Sequence, residues 1–298
     1  MNSLRVLVMA VSVVSLATSS VNAQQNLDDV EIRTSMVAEG IYVLEGRGGN
    51  IGLSIGTDGA FLVDDQYAPL TEKIQAAVAD VTDSAIRFVL NTHWHGDHTG
   101  GNENMGKAGA MIVAHENVRK RLNPAEFRDV MGNTSQSPPD ALPVITFTDG
   151  VTFHWNGETI RVTHVEHAHT DGDALVHFVN ANVIHMGDLF FNGRYPFVDI
   201  NSGGGIHGVI NAANHVLGVA GSNTRIIPGH GSVADAQDLR LYRDMLTTVR
   251  DRVQLMVNDG ATEEAVLAAG VTSDLDATWG ENSARFVSAV YQSLRPEP

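Results

Sequence analysis

The sequence predicts an α+β protein, a four-layer αββα sandwich with two sheets face to face and helices outside. Three observations carry that expectation. Strands precede helices in each half of the chain. Each half holds an apolar strand that ends on an acid: Asp64 after Leu62-Val63, and Asp188 after Met186-Gly187. An irregular Ser/Pro-rich stretch at 132–143 divides the chain near its midpoint. Two separate α+β domains would show the same layering, with 132–143 as their boundary. The preferred division is a leader at 1–23 followed by one domain at 24–298, whose two similar halves meet near 132–143.

The elements follow in order. Residues 24–35 are polar and read as a loose arm. Ile41–Leu44, Ile51–Ile55 and Ala60–Val63 have strand length and are separated by glycine-rich turns. Pro69–Val81 carries Leu70, Ile74, Ala77, Val78 and Val81 at helical spacing, with proline suited to a first turn. Ala85–Leu90 reads as a buried strand running into Asn91-Thr92. Ala110–Ala114 is a short strand, followed by a charged helix at Glu116–Leu122. Past the divide come strands at Val144–Phe147, Val151–Trp155, Thr159–Val165, Ala174–Val179 and Val183–Met186, with hairpin turns at Asp149-Gly150 and Asn156-Gly157. A helix at Ile206–Val219, a strand at Arg225–Ile227 and helices near 234–257, 261–269 and 281–294 complete the chain.

Composition narrows the function classes. The first 23 residues read as a secretory signal: Arg5 is the positive region, Leu7–Leu16 the apolar region and Val21-Asn22-Ala23 the cleavage site. The alternative is an uncleaved membrane anchor, against which Ser12, Ser15, Thr18 and Ser19 count by leaving the stretch short and interrupted for a span. The expected location is therefore periplasmic or secreted, with no stable membrane association after cleavage. Cleavage leaves 18 basic against 35 acidic residues, so the net charge moves from −16 to −17. Such a surface is repelled by phosphate backbones, which argues against nucleic acid and for a small-molecule substrate. Cysteine is absent, so there is neither a disulfide framework nor a thiolate nucleophile.

The segment richest in chemistry is His93-Trp94-His95-Gly96-Asp97-His98. A buried imidazole or carboxylate without a partner costs several kcal/mol, at least about 2. A divalent cation satisfies all four at once. Three further segments set candidate ligands at strand ends: His164–Asp173, His185-Met186-Gly187-Asp188 and Pro228-Gly229-His230-Gly231. By spacing alone either His167 or His169 is eligible. Asp64 and Asp173 end strands beside these loops and are candidates to accept the second ring N–H of a ligand histidine. Arg194 and Tyr195 are candidate cleft residues, the arginine suited to a substrate carboxylate.

In order and separation these segments resemble the metallo-β-lactamase superfamily, over about residues 37 to 250. The resemblance implies that His93, His95 and His169 hold a first zinc and that Asp97, His98 and His230 hold a second. It implies that Asp188 bridges them, as in the glyoxalase II-like and lactonase-like branches. His169 is preferred to His167 because Thr170-Asp171-Gly172-Asp173 follows it in the family pattern. Metal-assisted hydrolysis is then expected, by a water activated between the metals, with Asp97 orienting it. The expected cofactor is two Zn2+; iron suits the same donors. β-Lactam ring opening is the leading expected activity, and a lactonase or thioesterase is the alternative. Lactamases carry Cys or Ser at the position of Asp188, so that activity is expected to be weak. An iron-dependent redox member or a non-hydrolytic binding member stands further back.

Overall fold

The computed structural model describes residues 27–123, 137–280 and 283–295. The leader at 1–23, and the part of 132–143 before residue 137, lie outside the described residues. Twelve described strands form two sheets. The first holds β1 (Arg33–Ala38), β2 (Ile41–Glu45), β3 (Ile51–Ser54), β4 (Ala60–Val63), β5 (Ile86–Leu90), β6 (Met111–His115) and β7 (Ile145–Phe147), side by side in chain order. The second holds β8 (Gly150–Trp155), β9 (Glu158–Val165), β10 (Asp173–Phe178), β11 (Val183–Phe191) and β12 (Arg225–His230), also side by side in chain order.

Antiparallel hairpins build β1 to β4, and β4 to β7 then run parallel. Parallel neighbours need crossovers, which helices supply. These are α1 (Thr71–Ala79), then α2 (Gly96–Thr99) with α3 (Asn102–Lys107), then α4 (Glu116–Leu122). The second sheet is antiparallel except for β11 and β12, which are joined by α5 (Ile206–Val219). The helices α6 (Ala236–Asn258), α7 (Glu263–Ala268), α8 (Asp276–Trp279) and α9 (Ala284–Leu294) follow.

The layering is the expected αββα sandwich. In β4 the alternation of side chains explains the unbroken apolar run. Phe61 and Val63 enter the cluster between the sheets, while Ala60 and Leu62 enter the cluster under α1. Phe61, Phe88 and Leu90 meet Ile160, Val176 and Phe178 across the sandwich. Phe153 closes on Phe61 at 5.1 Å between ring centroids, and Trp155 meets Phe88 edge-on at 5.1 Å. A third cluster joins the outer face of β11 to α5, α6 and α9 through Met186, Phe190, Val209, Leu246 and Val290.

Two expectations need correction. The strand at 144–147 opens no second half: β7 pairs with β6 and closes the first sheet, so the sheets divide between Phe147 and Gly150. The arm at 24–35 is not loose where it is described. Leu27, Val30 and Ile32 pack on the α1 cluster, Lys73 Nζ donates to the carbonyls of Leu27, Asp28 and Val30, and β1 begins at Arg33.

Candidate metal centre

The site lies where strands of both sheets end. β4 runs into Asp64 and β5 into Asn91-Thr92-His93, with Val63 and Leu90 in register. His95 caps the short helix α2, which carries Asp97 and His98. His169 sits in the loop from β9 to β10, Asp188 inside β11, and His230 at the end of β12 opposite Phe191.

Two groups form. His93, His95, His169 and Asp188 make one; Asp97, His98 and His230 make the other, and within each the candidate ligand atoms all lie within 4.8 Å of one another. His95 Nδ1 is 3.1 Å from His93 Nε2 and 2.9 Å from His169 Nε2. Asp188 divides its oxygens between the groups. Oδ2 lies 3.8 Å from His93 Nε2 and 3.5 Å from His169 Nε2. Oδ1 lies 3.1 Å from His98 Nε2 and 3.4 Å from His230 Nε2. Each group draws on both sheets.

The donor set fits a divalent cation. Ligands at about 2.0–2.2 Å in tetrahedral array stand roughly 3.3–3.6 Å from one another, and the separations of 2.9–3.8 Å quoted above bracket that range. His98 Nε2 and Asp188 Oδ1 are buried and, though close, complete no hydrogen bond. Such orphans are costly unless something else satisfies them.

The partners of the other ring nitrogens assign each tautomer. Thr92 Oγ1 donates to Asp64 Oδ2 at 2.8 Å and stands 3.0 Å from His93 Nδ1, so it accepts from that ring and leaves His93 Nε2 free. His98 Nδ1 donates to Asp64 Oδ2 at 2.7 Å, His169 Nδ1 to Phe197 O at 2.8 Å, and His95 Nε2 to Asp199 Oδ2 at 3.0 Å. Each arrangement turns the unprotonated nitrogen toward the cluster. Asp64 has φ 67° and Gln66 φ 56°, a conformation usually costly outside glycine. Here it turns the chain sharply beneath His98.

Electrostatics separate the two groups. Burial raises the Asp97 carboxyl, but His98 and His230 outweigh it and hold Asp97 at about 2. Burial lowers His230, but Asp188 and Asp97 outweigh it and lift His230 to about 9. His169 is lowered to about 4, chiefly by burial. Burial likewise lowers His93, so His93 and His169 present neutral imidazoles, while the second group concentrates carboxylate charge that attracts protons or cations.

Of the candidate second-layer residues, Asp64 touches a cluster imidazole directly. Asp173 does not: its carboxylate accepts from Thr170 N at 2.7 Å and Thr170 Oγ1 at 2.6 Å, bracing the loop that carries His169, and burial pushes it up to about 7. His167 lies outside both groups. It is exposed, has φ 48°, pairs with Gly203 O at 3.1 Å and lines a separate cavity of about 770 Å³. Tyr195 is turned away from the cluster: its hydroxyl donates to Asp276 at 2.9 Å and its ring stacks on Phe286 at 5.5 Å. Arg194 is exposed and makes no ion pair among the described residues. Sequence reasoning misses Asp199, Thr92 and Phe197. Asp199 alone carried a signal, as an acid just before Gly203-Gly204-Gly205.

An αββα sandwich that brings two His/Asp groups to its strand ends, with Asp188 between them, is suited to holding divalent cations. The sequence model of the metallo-β-lactamase superfamily matches residues 44–251, and the chain belongs to that superfamily. The lactamase-like protein aptB of Emericella nidulans is 28% identical over 224 residues, 71% of this chain and 62% of the relative. A hydroxyacylglutathione hydrolase of Nitrosococcus oceani is 25% identical over 182 residues, 59% of this chain and 60% of the relative. An atrochrysone carboxyl ACP thioesterase of Aspergillus terreus is 32% identical over 127 residues, 42% of this chain and 33% of the relative. The chain thus spans about three fifths or less of the length of these relatives. Among solved structures, a metallo-β-lactamase from Pontibacter korlensis matches with TM-score 0.60 at 18% identity, covering 73% of this chain and 99% of that one. The DIM-1 metallo-β-lactamase matches with TM-score 0.60 at 19% identity, covering 74% and 99%. At such identities the likeness is one of fold.

Proposed function

We propose that this protein is a binuclear zinc hydrolase that cleaves an acyl bond, C–S, C–O or C–N, in a small molecule. The observation that carries the reading is Asp188, whose two oxygens face the two histidine groups separately. His93, His95 and His169 would hold one ion, Asp97, His98 and His230 the other, and Asp188 both. When bound, the ions supply Lewis acidity and make water acidic enough to react near neutral pH. The chain's own groups then have defined tasks. Asp97 stays ionised and offers Oδ2, 3.4 Å from His230 Nε2, as acceptor for a proton of the attacking water. Asp199, Thr92, Asp64 and the Phe197 carbonyl hold four imidazoles in the tautomers described. Trp94 and Phe197 pack beside His95, at 5.0 and 5.8 Å between rings, and give the site an apolar wall. The net reaction adds water across the acyl bond, giving a carboxylate and the protonated leaving group, with one further proton released to solvent when that group is a thiol or alcohol and taken up by it when it is an amine.

A bridging Asp in place of Cys or Ser favours thioesters and esters as substrates, as do relatives named for hydroxyacylglutathione and for an ACP thioesterase. β-Lactam amides are the second reading, favoured by the fold neighbours and by the lactamase-like relative. We also read the chain as exported, on its first 23 residues; N-terminal sequencing of the periplasmic fraction tests this. Elemental analysis followed by a panel of thioesters, lactones, penicillins and carbapenems tests the main reading. About two zinc per chain and turnover of at least one acyl class is expected. Iron with redox activity, or zinc with no hydrolysis of any class, would overturn it.

A further inference from the structure

The first group is held by Thr92, Asp199 and the Phe197 carbonyl, each bonded directly to the imidazole of one of its ligands. His230 is held differently, and the residue that holds it comes from the other sheet. Asn50 ends the turn Gly48-Gly49-Asn50 between β2 and β3. It is 6% exposed, and its side-chain NH2, main-chain N–H and main-chain carbonyl are all engaged. Its side-chain amide donates to Pro228 O at 2.9 Å and to Gly231 O at 2.8 Å. Its main-chain N–H donates to Gly229 O at 2.7 Å. These three bonds reach the three carbonyls that flank His230 and leave that residue itself untouched. The Asn50 carbonyl accepts from His185 Nε2 at 3.0 Å, and His185 Nδ1 accepts from Gly187 N at 3.1 Å. His185 is wholly buried, so its tautomer is fixed by this pair, and the chain is fixed one residue before Asp188. One residue earlier, Gly49 N donates to Asp97 O at 3.1 Å.

We infer that Asn50, with His185 as its partner, is a positioning residue for the second metal group, setting His230 and the Oδ1 side of Asp188 from across the sandwich. The inference rests on the binuclear reading above and adds that the two sites have separable supports. Truncating the Asn50 side chain takes the donors from Pro228 O and Gly231 O and loosens the 228–231 loop, while the main-chain bond to Gly229 O and the Thr92, Asp199 and Phe197 contacts stay in place.

The test is zinc titration of wild type, Asn50→Ala and Asn50→Asp against a chromophoric chelator, with melting of each metal-free protein alongside. Glu158→Gln serves as the control. Glu158 is buried and accepts from the main-chain N–H groups of Thr159 in β9 and of Asn180 and Ala181 in the turn between β10 and β11, away from the ligand loops. The expected result is a second zinc equivalent weakened by about 10–100-fold, the range for outer-shell partners, with the first unchanged. The control should lower melting without separating the two equivalents. Equal weakening of both, tracking the metal-free melt, would make Asn50 merely structural and overturn the inference; so would unchanged binding. Wild type that takes up fewer than two equivalents defeats the binuclear reading before any variant is compared, and the inference with it. A measurement independent of the variants is the imidazole 15N spectrum of wild type. His185 is expected as the Nε2–H tautomer, and Nδ1–H would overturn the assignment.

Discussion

Asp64→Asn is an isosteric change that should cost the protein its two-metal state. Asp64 is fully buried and accepts three hydrogen bonds: Thr92 N at 2.7 Å, Thr92 Oγ1 at 2.8 Å and His98 Nδ1 at 2.7 Å. An amide oxygen at Oδ1 keeps the first. At Oδ2 the new NH2 meets two groups that are themselves donating. His98 can accept from it only by moving its proton to Nε2, the nitrogen that faces Asp188 Oδ1 at 3.1 Å. That tautomer cannot ligate. Thr92 must turn its hydroxyl proton toward His93 Nδ1, which carries one already, so His93 is disturbed less directly. Loss of an outer partner costs about 10–100-fold in metal affinity, or roughly 1.4–2.7 kcal/mol. The loss should fall first on the site containing His98. Competition titration with zinc and an imidazole 15N spectrum read both consequences. An Asp64→Asn protein that binds two equivalents with wild-type affinity, with His98 still protonated on Nδ1, would refute the reasoning.

Three other perturbations separate site from scaffold. Gly229→Ala would place a Cβ 2.1 Å from Asp188 Oδ1 and 2.7 Å from Gly187 O; loss of the second zinc equivalent is expected, measured by elemental analysis after dialysis. Zinc should raise the melting temperature and a chelator lower it, because the ligands join both sheets; binding at about 100-fold over Kd stabilises by roughly 2.7 kcal/mol, and a calorimetric scan showing no shift would contradict the ligand arrangement. His115 stacks on His164 at 3.8 Å and 8°, and burial, with that neighbour, lowers it to about 4. A depressed histidine contributes stability that is complete above about 6.5, its unfolded value, and is lost as pH falls through about 4. Metal-free His115→Gln should therefore lose less stability than metal-free wild type between those limits, and parallel melting curves would reject the assignment.

Legibility in the sequence followed local pattern. β4, α4 and α5 are continuous apolar or amphipathic runs bounded by turn residues, and their limits are readable to within a residue. The seven residues of the two metal groups were readable because their types are rare in combination, not because of any periodicity. β1 was missed because Arg-Thr-Ser-Met-Val-Ala has no buried face to announce it; it is a half-exposed edge strand. α2 and α3 are short and glycine-rich, and tertiary contacts hold them more than propensity does. β7 was assigned to the wrong sheet because pairing partners are not written in a three-residue strand. Asp199 and Asn50 act through contacts 104 and up to 181 residues away, so the groups they hold cannot be read from the residues beside them. Tyr195 was misjudged for a related reason: proximity in sequence to β11 does not fix the direction of a side chain beyond its end.

Neither metal group can be completed from one sheet. His93, His95, Asp97 and His98 arrive with the first, and His169, Asp188 and His230 with the second. The two sheets are bonded within themselves by short-range hairpins and crossovers, so each can acquire its own shape before they meet. Until the sandwich closes, no more than two candidate ligands of either kind stand together on the first sheet. High-affinity metal uptake is thus a report on sheet-to-sheet docking, and the chain acquires its chemistry and its final tertiary contacts in the same event.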